Sequence, residues 1–236
     1  MKIHDVEQGS VEWLLLRSTM PTASEFDALV SPLGKVRTGE GPATYLAKKV
    51  AEAWQGGPLP SFSSYATEQG TILESADAVP WFEFEFNTTV RRVGFITTDD
   101  GKCGCSPDGL LDDDCGLEIK APQAHTHTRY LLDGVLPSDY VLQVQGSMFV
   151  TGFKRWKFLS WRRGFPPLLL TIERDEKIQA AIREALDAFN VKFAEAMEKM
   201  TIANGGKGPR RLTPMPEKPK PKQTTEEIVA GVEMLN

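Results

Sequence analysis

The spacing of apolar positions divides this chain into stretches with a helical period and stretches with a strand period. From 175 to 200, Ile178, Ile182, Leu186, Phe189, Phe193, Met197 and Met200 recur every third or fourth position, which predicts one long amphipathic helix. "PATYLAKKVAEAW" (42–54) has the same period with Pro42 near its start, and predicts a second. Residues 1–30 read as a capped helical region: a first helix carries Trp13, Leu14 and Arg17, Pro21 breaks it, and Thr22 or Ser24 caps another. A helix from Gly70 carries Glu74 in its first half and is kinked or ended by Pro80. Between 88 and 122 the period falls to two. There "TTVRRVGFITT", "CGCSPDGLL" and "LEIKAP" alternate with the turns "DDGK" and "DDDCG", a β-meander. "SDYVLQVQGSMFVTG" predicts a crossing helix, and "RWKFLSWRR" and "PLLLTIERD" predict two more strands. Helices, then a mostly antiparallel sheet crossed by a helix, then a helix again make the fold class α+β or mixed α/β.

Composition narrows this only slightly. With 236 residues, 41% apolar and 25% charged, the chain has the make-up of a soluble globular protein long enough for a substantial core. No run of eighteen apolar residues occurs, so no membrane span is expected, and "MKIHDVEQGS" lacks the apolar stretch of a signal peptide. Three cysteines, two of them in "CGC", make no disulfide framework and suit a reducing cytoplasm. The net charge of −5 is uneven: residues 204–223 carry +5, the final thirteen carry −3, and 1–203 carry −7. We therefore expect one domain over 1–203, followed by a Pro- and Lys-rich linker and a short apolar end over 204–236. An acidic chain is a poor nucleic-acid coat protein, yet global charge does not govern one face, so an enzyme with a local basic groove remains open.

The candidate chemistry lies in "CSPDGLLDDDCGLEIKAP" (105–122). If its turn is centred at Asp113, residues whose numbers sum to 226 face each other, and Asp108 opposes Glu118. Opposed carboxylates, with Cβ atoms roughly 5 Å apart, repel unless a cation lies between them. Lys120 shares the face of Glu118 by the strand period. Oxygen donors without sulfur or imidazole suit a hard ion, Mg²⁺ or Mn²⁺, and a lysine beside it orients a water and helps to deprotonate it. Asp112, Asp113 and Asp114 read as turn residues, because Asp favours turns. The glycine and distal glutamate of a calcium loop are missing.

Asp108 followed by Glu118-Ile119-Lys120 matches the Asp…(Asp/Glu)-x-Lys nuclease core, and "SPDGL…GLEIKAP" resembles the phage lambda exonuclease and YqaJ-type viral recombinase family. Further agreement comes from 6–30, the helix with Glu74, "YVLQVQGSMFV" and "IERDEK", so the resemblance spans roughly residues 5–200. It implies a restriction-endonuclease-like fold with a central mixed, mostly antiparallel sheet flanked by helices. It implies Asp108, Glu118 and the Ile119 carbonyl as metal ligands and Lys120 as the residue that positions or activates water. Glu74 then completes the metal site and Gln143 lies beside it, while Gln145, two positions on, faces elsewhere. Arg17, Ser24 and Ser106 match residues that hold the 5′-phosphate of a DNA end, a sensible use of a bidentate guanidinium and two hydroxyls.

The implied activity is a processive, Mg²⁺-dependent 5′→3′ exonuclease on duplex DNA, with Mn²⁺ able to substitute. It releases 5′-mononucleotides and leaves a 3′ strand. No Walker A stretch occurs, so no ATP is expected. The implied partners are duplex ends with a 5′-phosphate, further copies of the chain in a ring-shaped homotrimer, and a single-strand annealing protein of phage-type recombination, in the cytoplasm of a bacterial host. Lys35, Arg37, Lys48, Lys49 and Arg129 are candidates to line the channel. "SFSSYATEQG" offers no clear aliphatic wedge for strand separation, and Tyr65 or a residue near it is the candidate. Two rivals stand beside this reading: an endonuclease on the same fold, and a non-catalytic DNA-end binding module, against which the intact Asp108, Glu118 and Lys120 set argues.

Other constellations carry less. Cys103, Cys105 and Cys115 with His125 or His127 lack zinc-site spacing, and three cysteines are too few for a cluster held by four. They read as buried small apolar residues, the histidines as solvated residues at a helix start with DNA contact as the alternative, and Trp13 as a core side chain with stacking near the DNA as the alternative.

Overall fold

Two sheets, rather than one continuous meander, carry the strands. The computed structural model describes residues 1–59, 77–111 and 114–209. The first sheet is antiparallel, in the order β1 (Lys2–His4), β2 (Phe95–Thr97) and β3 (Gly104–Cys105). The second runs β4 (Gly109–Leu111), β5 (Cys115–Lys120), β6 (Arg155–Ser160) and β7 (Leu168–Glu173). In it β5 is antiparallel to β4 and parallel to β6, and β6 is antiparallel to β7. The chain passes from one sheet to the other at Ser106-Pro107-Asp108. Pro107 has no N–H to continue a ladder, which explains why the predicted strand over 103–111 breaks there.

Helices surround these strands: α1 (Val11–Ser18), a 3-10 helix (Ala23–Ala28), α2 (Glu40–Gln55), α3 (Val79–Phe86), α4 (Ala124–Asp133), α5 (Ser138–Thr151) and α6 (Glu176–Ala203). A parallel pair needs a crossover of a dozen or more residues, and α4 with α5 supplies the one between β5 and β6. The result is a mixed α/β fold with its sheets flanked by helices. Among the described residues, no helix is long and apolar enough to cross a membrane.

Two apolar clusters lie on opposite faces of the second sheet. Phe26, Tyr45, Leu142, Met148, Trp156, Phe158, Ile182 and Phe189 join the 3-10 helix, α2, α5 and α6 to one face. Val79, Phe82, Val90, Leu117, Ile119 and Leu159 join α3 to the other. Each fully buried Leu, Ile or Phe contributes about 1.5–3 kcal/mol. The alternation along β5 therefore has a direct consequence for chemistry. Leu117 and Ile119 point at α3, so Glu118 and Lys120 point the other way, toward α5. Close packing on that side is set by Gly146 of α5, where a Cβ would lie 2.6 Å from Cδ2 of Phe26.

Several sequence expectations need correcting. Residues 2–4 form an edge strand, with Lys2 opposite Thr97 and His4 opposite Phe95, rather than the start of a helical region. Three residues are too few to show a period. The helix predicted after Pro21 is a 3-10 turn with Thr22 at its N-cap, and the Thr22 hydroxyl bonds the Glu25 carboxylate instead of a backbone N–H. Pro80 lies in the first turn of α3, where its missing N–H costs nothing, directly after a π-helical turn at 77–78; the expected helix from Gly70 to that point lies outside the described residues. The stripe on α6 is buried over Ile178, Ile182, Leu186 and Phe189 and emerges at its far end, where Met200 is exposed.

Candidate active site

The β4–β5 hairpin has the register expected from its turn. Gly109 pairs with Leu117, Leu110 with Gly116 and Leu111 with Cys115, so every pair sums to 226. Asp108 and Glu118 occupy the next position of that ladder. The Asp108 N–H donates to the Leu117 carbonyl at 3.2 Å, and the Ile119 N–H donates to Asp108 Oδ2 at 2.6 Å. Glu118 is only 1% exposed. Its Oε1 accepts from Lys120 Nζ at 2.6 Å and from Gln143 Nε2 of α5. A carboxylate this deep needs a positive charge at hand, and the Lys120 ammonium supplies it. Lys120 Nζ also sits 5.5 Å from the ring centre of Tyr140. Burial pushes the Asp108 carboxyl above its ordinary range, against the pull of Lys120, the Ile119 N–H and Arg92.

An open groove of about 790 Å³ reaches Asp108 and Ile119. Its walls come from the segment Ile3 to Gln8 and from Arg91, Arg92, Val93 and Gly94. Gln8 is among the lining residues, its Nε2 donating to the carbonyls of Val93 and Pro107 at 3.0 and 2.9 Å. The donor set suits a hard divalent ion. Asp108, Glu118 and the Ile119 carbonyl offer oxygen alone, and among the described residues no three His, Cys, Asp or Glu side chains gather. One or two carboxylates completed by water and substrate phosphate is the manner in which Mg²⁺ is ordinarily held. Glu74 and Tyr65 lie outside the described residues, as do Asp112 and Asp113. Asp114 takes a left-handed turn conformation, with φ 53°.

Arg17, Ser24 and Ser106 come together on the other side of the β3–β4 link. The Arg17 guanidinium donates to Ser24 Oγ at 2.9 Å and to Ser106 Oγ at 3.4 Å. It lies 4.4 Å above the Trp13 ring. The Trp13 Nε1–H donates to Ser106 Oγ at 2.8 Å and to the Gly94 carbonyl at 3.2 Å. Trp13 is thus half-buried and part of this cluster, not a plain core residue. Ser10 caps α1 through the Trp13 N–H, which fixes the helix that presents both side chains. Burial lowers the Arg17 pKa from its ordinary value, partly offset by the Glu25 charge. Arg17 remains a cation at neutral pH.

Sequence reasoning missed what lies beneath this pocket. Lys49, a candidate for the channel lining and otherwise read as a solvated charge, is 2% exposed. Its ammonium donates to the Arg17 carbonyl at 2.5 Å and to Glu52 at 2.9 Å, and lies 3.8 Å from Glu25. Its partner Glu52, three residues along α2, was the available signal. Lys48 is half-buried against Glu25, whereas Lys35, Arg37 and Arg129 are exposed. Arg91 and Arg92, exposed on the groove wall, were also missed.

The remaining candidates are placed as follows. Gln145 faces away from Glu118, tying α5 to the Glu173 carbonyl, the Asp175 N–H and Gln179. His127 is buried, not solvated: its ring bonds Ser160 Oγ at 2.7 Å and the Pro166 carbonyl at 2.9 Å. His125 is exposed. Cys103, Cys105 and Cys115 are buried free thiols, and burial pushes Cys103 up to about 12.

Comparison with known proteins identifies the family and the fold. No curated protein matches the chain significantly. The crystal structure of the alkaline exonuclease LHK-Exo from Laribacter hongkongensis superposes with a TM-score of 0.73 at 25% identity, over 83% of this chain and 98% of that one. LHK-Exo in complex with dAMP gives the same TM-score at 26% identity and the same coverage. A phage-related exonuclease from Haemophilus somnus 129PT shares the fold, with a TM-score of 0.55 at 12% identity over 84% of this chain and 97% of that one. The family model of the YqaJ-like viral recombinase domain matches residues 12–154, more than half of the 236. This chain belongs to the YqaJ-like viral recombinase family.

Proposed function

We propose that this protein is a Mg²⁺-dependent 5′→3′ exonuclease that degrades one strand of duplex DNA from ends bearing a 5′-phosphate. The activity class, a DNA exonuclease and hence a hydrolase, follows from the family and from the two LHK-Exo structures, whose folds this chain shares over nearly their whole length. The observation that carries the finer reading is the joint between the two clusters. Ser106, bonded to Arg17 and Trp13, stands two residues before Asp108, so a strand end held at one reaches the other. The dAMP bound by LHK-Exo is the kind of product such an enzyme releases.

Asp108, Glu118 and the Ile119 carbonyl would hold the metal, with Glu74 as the further ligand and Mn²⁺ able to substitute. The ion supplies Lewis-acid polarisation of the phosphoryl oxygens and lowers the pKa of a water. Lys120, fixed by Glu118 and Tyr140, orients that water and assists its deprotonation, and Gln143 keeps the Glu118 carboxylate in place. The Arg17 fork and the hydroxyls of Ser24 and Ser106 bind the terminal phosphate. The reading extends to residues 1–203 as the catalytic domain with 204–236 as a tail. It also includes a homotrimeric ring that makes digestion processive, and release of a 3′ strand to a single-strand annealing protein in the bacterial cytoplasm. No ATP is required.

Initial rates on linear duplexes with 5′-phosphate and 5′-hydroxyl ends, beside a covalently closed circle, test the reading. The phosphate end should be digested fastest, chelation should abolish digestion, and the circle should survive. Cutting of the circle would favour an endonuclease on the same fold, and equal rates on the two linear ends would remove the phosphate pocket.

A further inference from the structure

Glu25 poses a problem for any anion pocket built on Arg17. It follows Ser24 directly, it is half-buried, and its charge acts on the Arg17 guanidinium. A free carboxylate there would take the guanidinium as its own partner and repel a phosphate. The structure instead turns Glu25 away. Its Oε1 accepts from Lys48 Nζ at 2.6 Å, and its Oε2 accepts from the hydroxyls of Thr22 and Tyr45, each at 3.2 Å, with Lys49 Nζ at 3.8 Å. Burial favours the neutral acid, but the Lys48 hydrogen bond and the Lys49 and Lys48 charges hold Glu25 below its ordinary range, as a carboxylate.

From these contacts we infer that Lys49, with Lys48, acts as a positioning residue that occupies Glu25 and leaves the Arg17 fork free to select a terminal phosphate. This inference rests on the phosphate-end reading above and deepens it. Lys49 is suited to the task in two ways. Its ammonium grips the carbonyl of Arg17 at the end of α1, where helix carbonyls lack intrahelical donors and a cation is favoured. It also places a buried positive charge below the pocket. Arg17, Lys48 and Lys49 against Glu25 and Glu52 leave one net positive charge; without Lys49 that surplus vanishes. A surface lysine would not act this way, because solvent would screen it.

The test is the ratio of initial rates on 5′-phosphate and 5′-hydroxyl duplexes, with melting temperature as the check on folding. Lys49→Met should lower the ratio about tenfold, the scale of a lost charge-assisted hydrogen bond. Adding Glu25→Gln to Lys49→Met should restore most of it, because the competing carboxylate is then gone. A merely structural lysine would not be rescued in this way. If Lys49→Met does not fold, the half-buried Lys48→Met and its double variant with Glu25→Gln carry the same test, with a smaller loss and the same rescue. Failure of Glu25→Gln to restore the ratio, or an unchanged ratio in both lysine variants, overturns the clamp. Equal rates in the wild-type protein instead overturn the phosphate pocket itself, so the two failures are distinct.

Discussion

The hairpin around Glu118 and the pocket around Arg17 meet at Ser106-Pro107-Asp108, yet they are built in opposite ways. The hairpin gathers Asp108, Glu118 and Lys120 from thirteen consecutive residues, and its geometry follows from one turn and a period of two. It buries negative charge beside the Lys120 ammonium. The pocket draws on α1, the 3-10 helix and the β3–β4 link, with α2 beneath, and it presents positive charge through a cation that its own network keeps available. On the proposed function, chemistry sits on a short, locally determined frame and recognition on a long-range one. If that division of labour holds, changes in the hairpin should slow every substrate alike, and changes in the pocket should alter which end is chosen.

The largest expected effect tests the first half. Lys120→Ala removes the group proposed to orient the water and also the ammonium paired with Glu118. Hydrolysis should fall about 10²–10⁴-fold, the range for a positioned acid–base group. The fall should be equal on phosphate and hydroxyl ends. A fall confined to phosphate ends would place Lys120 in recognition and collapse the distinction. Arg17→Ala tests the second half. Loss of a charged donor to phosphate costs about 1.5–3 kcal/mol, so the phosphate-end rate should drop about 10- to 100-fold. The hydroxyl-end rate should barely change, since that end has no terminal phosphate to hold.

The same contrast explains what was legible in the sequence. The register of β4 on β5 needed only the position of Asp113, and the stripe on α6 needed only its own period. Both depend on near neighbours. The split into two sheets was missed because each half of 103–111 alternates well by itself, and only Pro107 marks the break. The three residues of β1 are defined by their partner β2, more than ninety positions away, not by any pattern of their own. Arg17, Ser24 and Ser106 were proposed through family resemblance; no spacing in this chain joins them. Lys49 was read as exposed because lysine usually is. Its burial depends on Glu52 on its own helix and on the Arg17 carbonyl, thirty-two positions earlier.

Trp13 gives the finest test of the comparison, since it was read as core and is found holding the joint. Its indole N–H reaches Ser106, 93 residues away, and Gly94, 81 away, while its face supports the Arg17 guanidinium. Trp13→Phe keeps an apolar ring of similar reach but removes the N–H and weakens the cation–π contact, which is strongest for Trp. One neutral hydrogen bond contributes about 1 kcal/mol, so phosphate preference should fall about fivefold with little change in melting temperature. Trp13→Leu also deletes the ring face and should lower the preference further. The hydroxyl-end rate should stay within twofold of wild type in Trp13→Phe, because Asp108 keeps its own bonds to Leu117 and Ile119. Were Trp13 only a core residue, Trp13→Leu would lower the melting temperature while leaving end choice untouched. An equal loss on both ends would mean that Ser106 transmits its position to Asp108, and that the two regions work as one.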